Sequence, residues 1–327
     1  MKILPDLSLF GVAFIWGINI PVMKNGLDQL DRFSFNAIRL AVSALVLVLI
    51  AWVERRGGVR PSDQLSRRHV IVYALIVSVL YQLMFLLGIS DSNSANTALI
   101  IATVPMWTAI AARIFLKEFL RPIQWAGLVI ALGGTFVVAL QKSSISIGSD
   151  TLWGNLFALG AALSWSAGTV YSRPLLKMIS PTRLSATSAV IGLPVHFAVA
   201  LIPWADRSDF GEDLRQSMQL PMALIILYSG VFSTGLALPM WNYGVRHSGA
   251  ARAAIIQNLI PVVAIVGAWA WRGEAVSVQQ LIGAFLIISG LILIRFRSRT
   301  GSQTVKSSER LHKVAAPEES NARTHVR

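Results

Sequence analysis

Cysteine is absent from the 327 residues, and charged side chains make up only 14% of them. The first absence excludes disulfides and thiolate metal sites. The second excludes an ordinary water-soluble domain, which needs roughly a quarter of its residues charged. No Asp or Glu falls in the middle of a hydrophobic run, which argues against a carboxylate proton relay. The period-two alternation of a membrane β-barrel is missing, as are a phosphate-binding GxxxxGK[ST] loop, zinc-ligand spacing and a supported Ser/His/Asp set. An enzyme is therefore not expected, and neither is a cofactor.

What the chain does have is hydrophobic length: 54% of its residues are apolar. Ten apolar runs recur at approximately 6–23, 34–53, 69–89, 94–115, 122–140, 152–172, 183–203, 219–243, 250–271 and 278–296. Each is near the 18 or so residues that cross about 30 Å of hydrocarbon as a helix. The first follows Lys2 but lacks an A-x-A-like exit and holds Pro21 and Lys24, so it reads as an uncleaved first helix rather than a secretory signal. The fold class expected is an all-α integral membrane protein of ten transmembrane helices.

Positive charge sorts these runs into an orientation. With the N-terminus inside, 22 of the 29 Lys and Arg fall on one set of alternate joints and the tail, six on the other set, and Arg39 within a span. Positive residues collect on cytoplasmic loops, so both termini are expected in the cytoplasm. The net charge of +13 is then a topology signal, not a sign of nucleic-acid binding, and residues 297–327 read as a disordered basic tail.

The chain also repeats itself. An offset of 156 places Met84 on Met240, Gly88 on Gly244, Pro105 on Pro261, Glu118 on Glu274, Gly127 on Gly283 and Gly134 on Gly290. An offset of 149 places Gly11 on Gly160, Trp16 on Trp165 and Lys24 on Arg173. Residues 1–141 and 152–296 are thus two copies of a five-helix unit. Five is odd, so the second copy enters the membrane inverted, as in transporters that work around a midplane site.

That architecture gives meaning to polar groups inside the spans. A helical proline leaves a carbonyl without its donor four residues back. Pro21 would free Gly17 beside Asn19, Pro105 would free Ile101, and Pro261 would free Gln257 beside Asn258. Trp16, Asn19, Tyr81, Gln82, Phe85, Trp107, Trp165, Trp241, Asn242, Gln257 and Asn258 are the candidate substrate-binding residues; rings supply area and amides supply orienting hydrogen bonds. Against this, Trp52, Trp153, Trp204 and Trp271 lie near span ends as interfacial anchors, and Asn96 and Thr97 suit a helix cap. For Arg39 three readings stand: contact with an anionic substrate group, contact with carbonyl ends of a neighbouring helix, or snorkelling to the interface. Glu118 and Glu274 end equivalent spans and read either as gate contacts with Lys117, Arg121 or Arg272, or as plain ion pairs. A lone His196 reads as a packed, hydrogen-bonded residue. Small residues at Gly154, Ala158, Ala162 and Ser166, and at Gly127, Ala131 and Thr135, promise close helix packing.

The sequence resembles the drug/metabolite transporter superfamily in its ten-helix, twin EamA-domain branch, over roughly residues 6 to 296. The resemblance rests on Trp16-Gly17-x-Asn19 with Lys24 and Gly26, on Arg39, on the Pro-to-Glu stretches ending at Glu118 and Gly273-Glu274, and on Ala162, Trp165 and Arg173 opening the second copy. It departs from the family pattern at Lys117, where the second copy has Gly273. The resemblance implies export of small metabolites, often amino acids or aromatic compounds, from the bacterial cytoplasm through a cavity between the halves. The expected partners are the lipid bilayer and a small-molecule substrate, and the expected location is the bacterial inner membrane. Two alternatives are a multidrug or aromatic-cation exporter, and a non-transporting membrane sensor or lipid-modifying enzyme. Substrate identity, coupling ion, direction of net flux and oligomeric state are open at this level.

Overall fold

The computed structural model describes residues 3–56, 66–92, 97, 100–140, 149–202, 209–272 and 275–293, all of whose regular structure is helical. The elements are α1 (Ile3–Leu27), α2 (Arg32–Arg56), α3 (Arg67–Asp91), α4 (Val104–Phe115), α5 (Pro122–Leu140), α6 (Ser149–Leu175), α7 (Pro181–Leu201), a short α8 (Phe210–Ser217), α9 (Leu220–Ser248), α10 (Ala250–Arg272) and α11 (Val278–Leu293). Among the described residues six helices are long and apolar enough to cross a membrane: α1, α2, α3, α7, α9 and the Ala250–Gly267 part of α10. The stretches Ile100–Phe115, Pro122–Val138 and Val278–Leu293 are shorter apolar helices. The 27 residues of α6 reach about 40 Å. Large apolar side chains such as Leu45, Leu49, Val129 and Phe285 stand exposed on the outside of the bundle, the surface expected of a chain solvated by lipid.

Without water to drive apolar faces together, helices in lipid associate through close backbone approach at small residues. Gly134 and Gly283 meet across α5 and α11: a Cβ on Gly134 would stand 2.5 Å from the Gly283 carbonyl oxygen, and one on Gly283 would stand 2.6 Å from that of Gly134. Gly290 approaches the Gly127 carbonyl at 2.5 Å in the same sense. Pairing 134 with 283 and 127 with 290 makes these helices antiparallel. Because 127 and 134 repeat as 283 and 290, the contact is self-complementary, each copy presenting the same patch.

The same correspondence runs through the bundle. Gly11 of α1 lies against Met240 of α9, and Gly160 of α6 lies against Met84 of α3. Leu9 packs on Gly244, and Ala158 packs on Gly88. The most extensive helix pairs, α3 with α6, α1 with α9, α2 with α7, α1 with α10, α2 with α9 and α3 with α7, all join one copy to the other. The small-residue stripe of α6 does what its spacing predicts, with Ala158 on α3 and the Ser166 hydroxyl donating to the Val104 carbonyl of α4 at 3.2 Å.

Two irregularities do not show in the apolar pattern. Segments Leu75–Leu80 of α3 and Tyr228–Leu236 of α9 are π-helical, and the 156-residue offset carries the first inside the second. A π-turn frees carbonyls, and here partners from other helices take them. The Ser78 carbonyl receives His196 Nε2 at 2.6 Å, the Ser233 carbonyl receives Trp16 Nε1 at 2.8 Å, and the Gly230 carbonyl receives the Ser43 hydroxyl at 2.9 Å.

Prolines behave differently in the two copies. Pro21 lies inside α1, which continues to Leu27. Pro105 stands just after an interruption of its apolar span: residues 100–102 are helical, Thr103 is a turn, and Pro105 occupies the first turn of α4, where no N–H is needed. In α10 a 3₁₀ turn at Gln257–Leu259 precedes Pro261. At Lys117 the chain turns left-handed, φ 54°, a conformation that favours glycine.

Replacing Gly134 with Val is expected to destabilise the detergent-solubilised protein by about 1 to 3 kcal/mol through overpacking at the α5–α11 contact. Gly133, with nothing within 4 Å of its would-be Cβ, tolerates Ala and gains up to about 1 kcal/mol from helix propensity; thermal unfolding of both variants checks this. Lys117→Gly is expected to raise the thermal midpoint, worth about 0.5 to 1 kcal/mol, by relieving the left-handed backbone.

Candidate functional site

Trp16 of α1, Trp165 of α6 and Trp241 of α9 meet as a triangle of indoles, with ring centroids 5.4 Å (Trp16–Trp165), 5.6 Å (Trp16–Trp241) and 5.8 Å (Trp165–Trp241) apart. Tyr81 of α3 extends it, 4.8 Å from Trp165, and Phe85 follows one turn later at 5.8 Å from Tyr81. Five of the sequence candidates therefore form one aromatic wall. Trp16, Tyr81 and Phe85 come from the first copy, and Trp165 and Trp241 from the second.

The polar groups around this wall divide into paired and unpaired. Trp16 donates to Ser233, but its repeat equivalent Trp165 has a buried Nε1 with no partner among the described residues. The buried Asn19 Oδ1 and Gln257 Oε1 likewise lack partners. Leaving a buried polar atom unmade costs about 1 to 3 kcal/mol, and Trp165 Nε1 is such an atom within the ring cluster itself. Asn19 lies near Gly17 in α1, which packs on α10 just after the 3₁₀ turn that holds Gln257: a Cβ on Gly17 would stand 2.6 Å from Val263 Cβ and 3.0 Å from the Ile260 carbonyl.

Other candidates are spoken for. Asn242 is fully buried and its amide is taken by Tyr73 and Ser185: Nδ2 donates to the Ser185 hydroxyl at 2.9 Å and to the Tyr73 hydroxyl at 3.2 Å. It braces α9 against α3 and α7. Asn258 Nδ2 donates to the Ile255 carbonyl of its own turn at 3.1 Å, and Trp107 Nε1 donates to the Thr103 hydroxyl at 2.9 Å. Neither joins the ring cluster. Among the anchors, Trp52 stacks under the Arg56 guanidinium at 3.6 Å and Trp153 is exposed. Lys24, Asn96, Trp204, Trp271, Arg272 and Glu274 lie outside the described side chains.

Arg39 does not snorkel. It is 4% exposed, about 10 Å along α2, and its guanidinium turns into the bundle. Nη2 donates to Asn36 Oδ1 at 2.6 Å and to Gln82 Oε1 at 3.1 Å, and Nη1 donates to the Thr234 hydroxyl at 3.3 Å. Asn36 in turn donates through Nδ2 to His196 Nδ1 at 3.3 Å, leaving His196 Nε2 as the donor to Ser78. The chain of bonds ties α2, α3, α7 and α9 and touches both π-helical segments. Asn36, Ser78, Ser233 and Thr234 were invisible as site residues in the sequence. Only Asn36 carried a signal, three positions before an intramembrane arginine, where side chains share a helix face.

One rim of the bundle is closed by Glu118. Its carboxylate accepts the Ala250 N–H at 3.2 Å and the Ala251 N–H at 3.1 Å, capping α10 from the end of α4. Arg173 pairs with it at 3.5 Å and also donates to the Arg246 carbonyl. Gly249, at φ 93°, leaves room for the carboxylate. At the other rim Arg32 pairs with Asp91 at 3.0 Å, the Asp31 N–H reaches the Asp213 carboxylate at 3.5 Å, and the Ser92 hydroxyl donates to Asn155 at 2.6 Å. No group of three metal-ligating side chains forms among the described residues.

Residues 3–140 and 152–296 each match the EamA-like transporter family. The uncharacterized transporter YoaV of Bacillus subtilis (strain 168) is 25% identical over 290 residues, covering 89% of this chain and 96% of YoaV. The uncharacterized inner membrane transporter YedA of Escherichia coli (strain K12) is 23% identical, covering 88% and 89%. A solved crystal structure superposes with a TM-score of 0.77 at 17% identity, over 90% of this chain and 98% of that one. With two family units filling nearly all of its helical length, the chain belongs to the EamA-like transporter family.

Proposed function

We propose that this membrane transporter is a secondary exporter of small metabolites, amino acids or related amphiphilic and aromatic compounds, working by alternating access between two inverted five-helix copies. The observation that carries the reading is the aromatic wall drawn from both copies, with Trp165 Nε1 in it, and Asn19 Oδ1 and Gln257 Oε1 elsewhere in the bundle, buried and unpaired among the described residues. An amphiphile presents apolar area to the rings and hydrogen-bonding groups to those atoms.

The self-complementary contacts support the inversion. Two equivalent helices that cross antiparallel through matching glycines are related by a twofold axis perpendicular to both, and for spanning helices such an axis lies in the membrane plane. Ten spans follow if α4, α5, α6 and α11 cross with the six longer helices. The contacts at each rim also sort the joints into alternate sets: Glu118, Arg173 and Arg246 at one end, Asp31, Asp91, Asn155 and Asp213 at the other. The first set is the one richer in Lys and Arg, so it faces the cytoplasm, together with both termini, in a bacterial inner membrane. Residues 297–327, the basic tail, would lie on that side as a solvated extension.

The π-helical segments sit at matching depth in α3 and α9, where a shift of one hydrogen-bond register changes a helix's pitch without unfolding it. Rocking at these points would exchange which rim is sealed. An aromatic-cation cargo is the competing reading, since indoles also attract cations; among the described residues every Asp and Glu stands at a helix end or in a joint, away from the rings.

Counterflow in proteoliposomes with a panel of labelled amino acids and aromatic metabolites tests the function; absence of exchange for all of them in folded protein overturns it. Single cysteines at Asn19 and Gln257, introduced into a chain that has none of its own, are expected to be reached by an impermeant thiol reagent from one side at a time. Simultaneous labelling from both sides would make the protein a pore. Glu118→Gln removes the half-exposed pair with Arg173, worth about 0.5 to 1 kcal/mol after solvent screening. It is expected to speed labelling of the cysteine at 257 from the Glu118 rim by roughly two- to fivefold.

A further inference from the structure

Resting on the transporter reading, we propose that Arg39 is its specificity-determining residue, docking a carboxylate on the substrate and rejecting organic cations. Three features of the guanidinium point there. It is 4% exposed yet bonds only neutral acceptors, Asn36, Gln82 and Thr234. No carboxylate pairs with it among the described residues, although an arginine inside a bilayer stays charged and is costly unless an anion or a water-filled cavity attends it. Its buried Nε has no partner among those residues.

The guanidinium is also tethered to the aromatic wall on two sides. Gln82, which it holds, follows Tyr81, whose ring packs on Trp165. Thr234, which it also holds, follows Ser233, whose carbonyl takes the Trp16 N–H. A guest lying on the indoles would therefore have its head near a fixed positive charge. The geometry also sets how an anion would be held. Both hydrogens of Nη2 are taken, so the Nε edge offers one N–H to a single anionic oxygen and not a two-pronged fork. The anion that the amphiphilic cargo of the proposed function carries is a carboxylate, so the cargo class is a monocarboxylate, free acid or zwitterion, with an apolar or aromatic body.

The test sorts the counterflow panel by charge. Tryptophan, indole-3-propionate and tryptamine are compared, and phenylalanine with phenethylamine, in wild type, Arg39→Lys and Arg39→Gln, with folding followed by gel filtration and thermal midpoint. The carboxylate-bearing probes are expected to exchange at least tenfold faster than their amines in wild type. Arg39→Lys keeps that ranking at reduced rate, and Arg39→Gln collapses the ratio of carboxylate to amine toward one. A purely structural Arg39 would lower all probes alike and leave the ratio unchanged, which overturns the proposal. Amines that exchange as fast as acids in wild type overturn it too, while leaving transport intact, and this readout does not depend on Arg39→Gln folding. Failure of every probe in folded wild type overturns the transporter reading and this inference with it.

Discussion

Backbone meeting backbone at glycine is the contact on which the rest of this bundle depends. In hydrocarbon an apolar side chain gains little by leaving lipid for another apolar side chain, so helices stay together where their main chains can come close and where polar groups have partners. Gly134 against Gly283 and Gly127 against Gly290 provide the first at the crossing of α5 and α11. Gly88 provides it where α3 meets α6 at Ala158, while Gly244, Gly11 and Gly160 make room for the side chains of Leu9, Met240 and Met84. With helices this near, side chains from four of them reach a common centre, and three tryptophans meet there.

Polar bookkeeping supplies the second requirement and sets where the bundle can yield. Each π-helical segment frees carbonyls, and each is met from another helix: Ser78 by His196, Ser233 by Trp16, Gly230 by Ser43. These bonds hold irregular backbone in place without making it permanent, because a carbonyl released by one partner can rejoin its own helix. The asymmetry between Trp16, whose N–H is bonded, and Trp165, whose N–H is not, is a local departure from an otherwise repeated pattern. Repeated units need not be in the same local state at once, and a protein that alternates between two forms would show such differences.

Much of this was legible in the sequence, for identifiable reasons. The duplicated glycines, the matched Trp16 and Trp165, and the small-residue stripe of α6 are patterns of residue type at fixed spacing, which close packing writes directly into a chain. The rings assigned to a cavity from Trp16, Tyr81, Phe85, Trp165 and Trp241 do meet. What could not be read was the outcome of competition between partners. Asn242 and Asn258 look like Asn19 in sequence, yet Tyr73, Ser185 and a local carbonyl satisfy them. The π-helical turns have no residue signature, since they arise from how neighbouring helices draw carbonyls out of register. Arg39 was visible as a charge in a span, but its direction was set by Gln82 and Thr234, which are 43 and 195 residues away in sequence. Pro105 was read as a break in its span; the interruption falls two residues earlier, at the Thr103 turn, and Pro105 starts the helix that follows.

The interleaving of the copies bears on how the polypeptide is made. Helices leave the ribosome and enter the bilayer in order, and α1 to α5 find few of their lasting neighbours among themselves. Until α9 is synthesised, Trp16 lacks Ser233 and Arg39 lacks Thr234; until α10 arrives, Glu118 has no helix to cap. The early half must wait in the membrane as loosely associated segments, its Arg39 guanidinium held only by Asn36 and Gln82. Completion of the nascent chain, and not addition of each helix in turn, is the step that locks the protein.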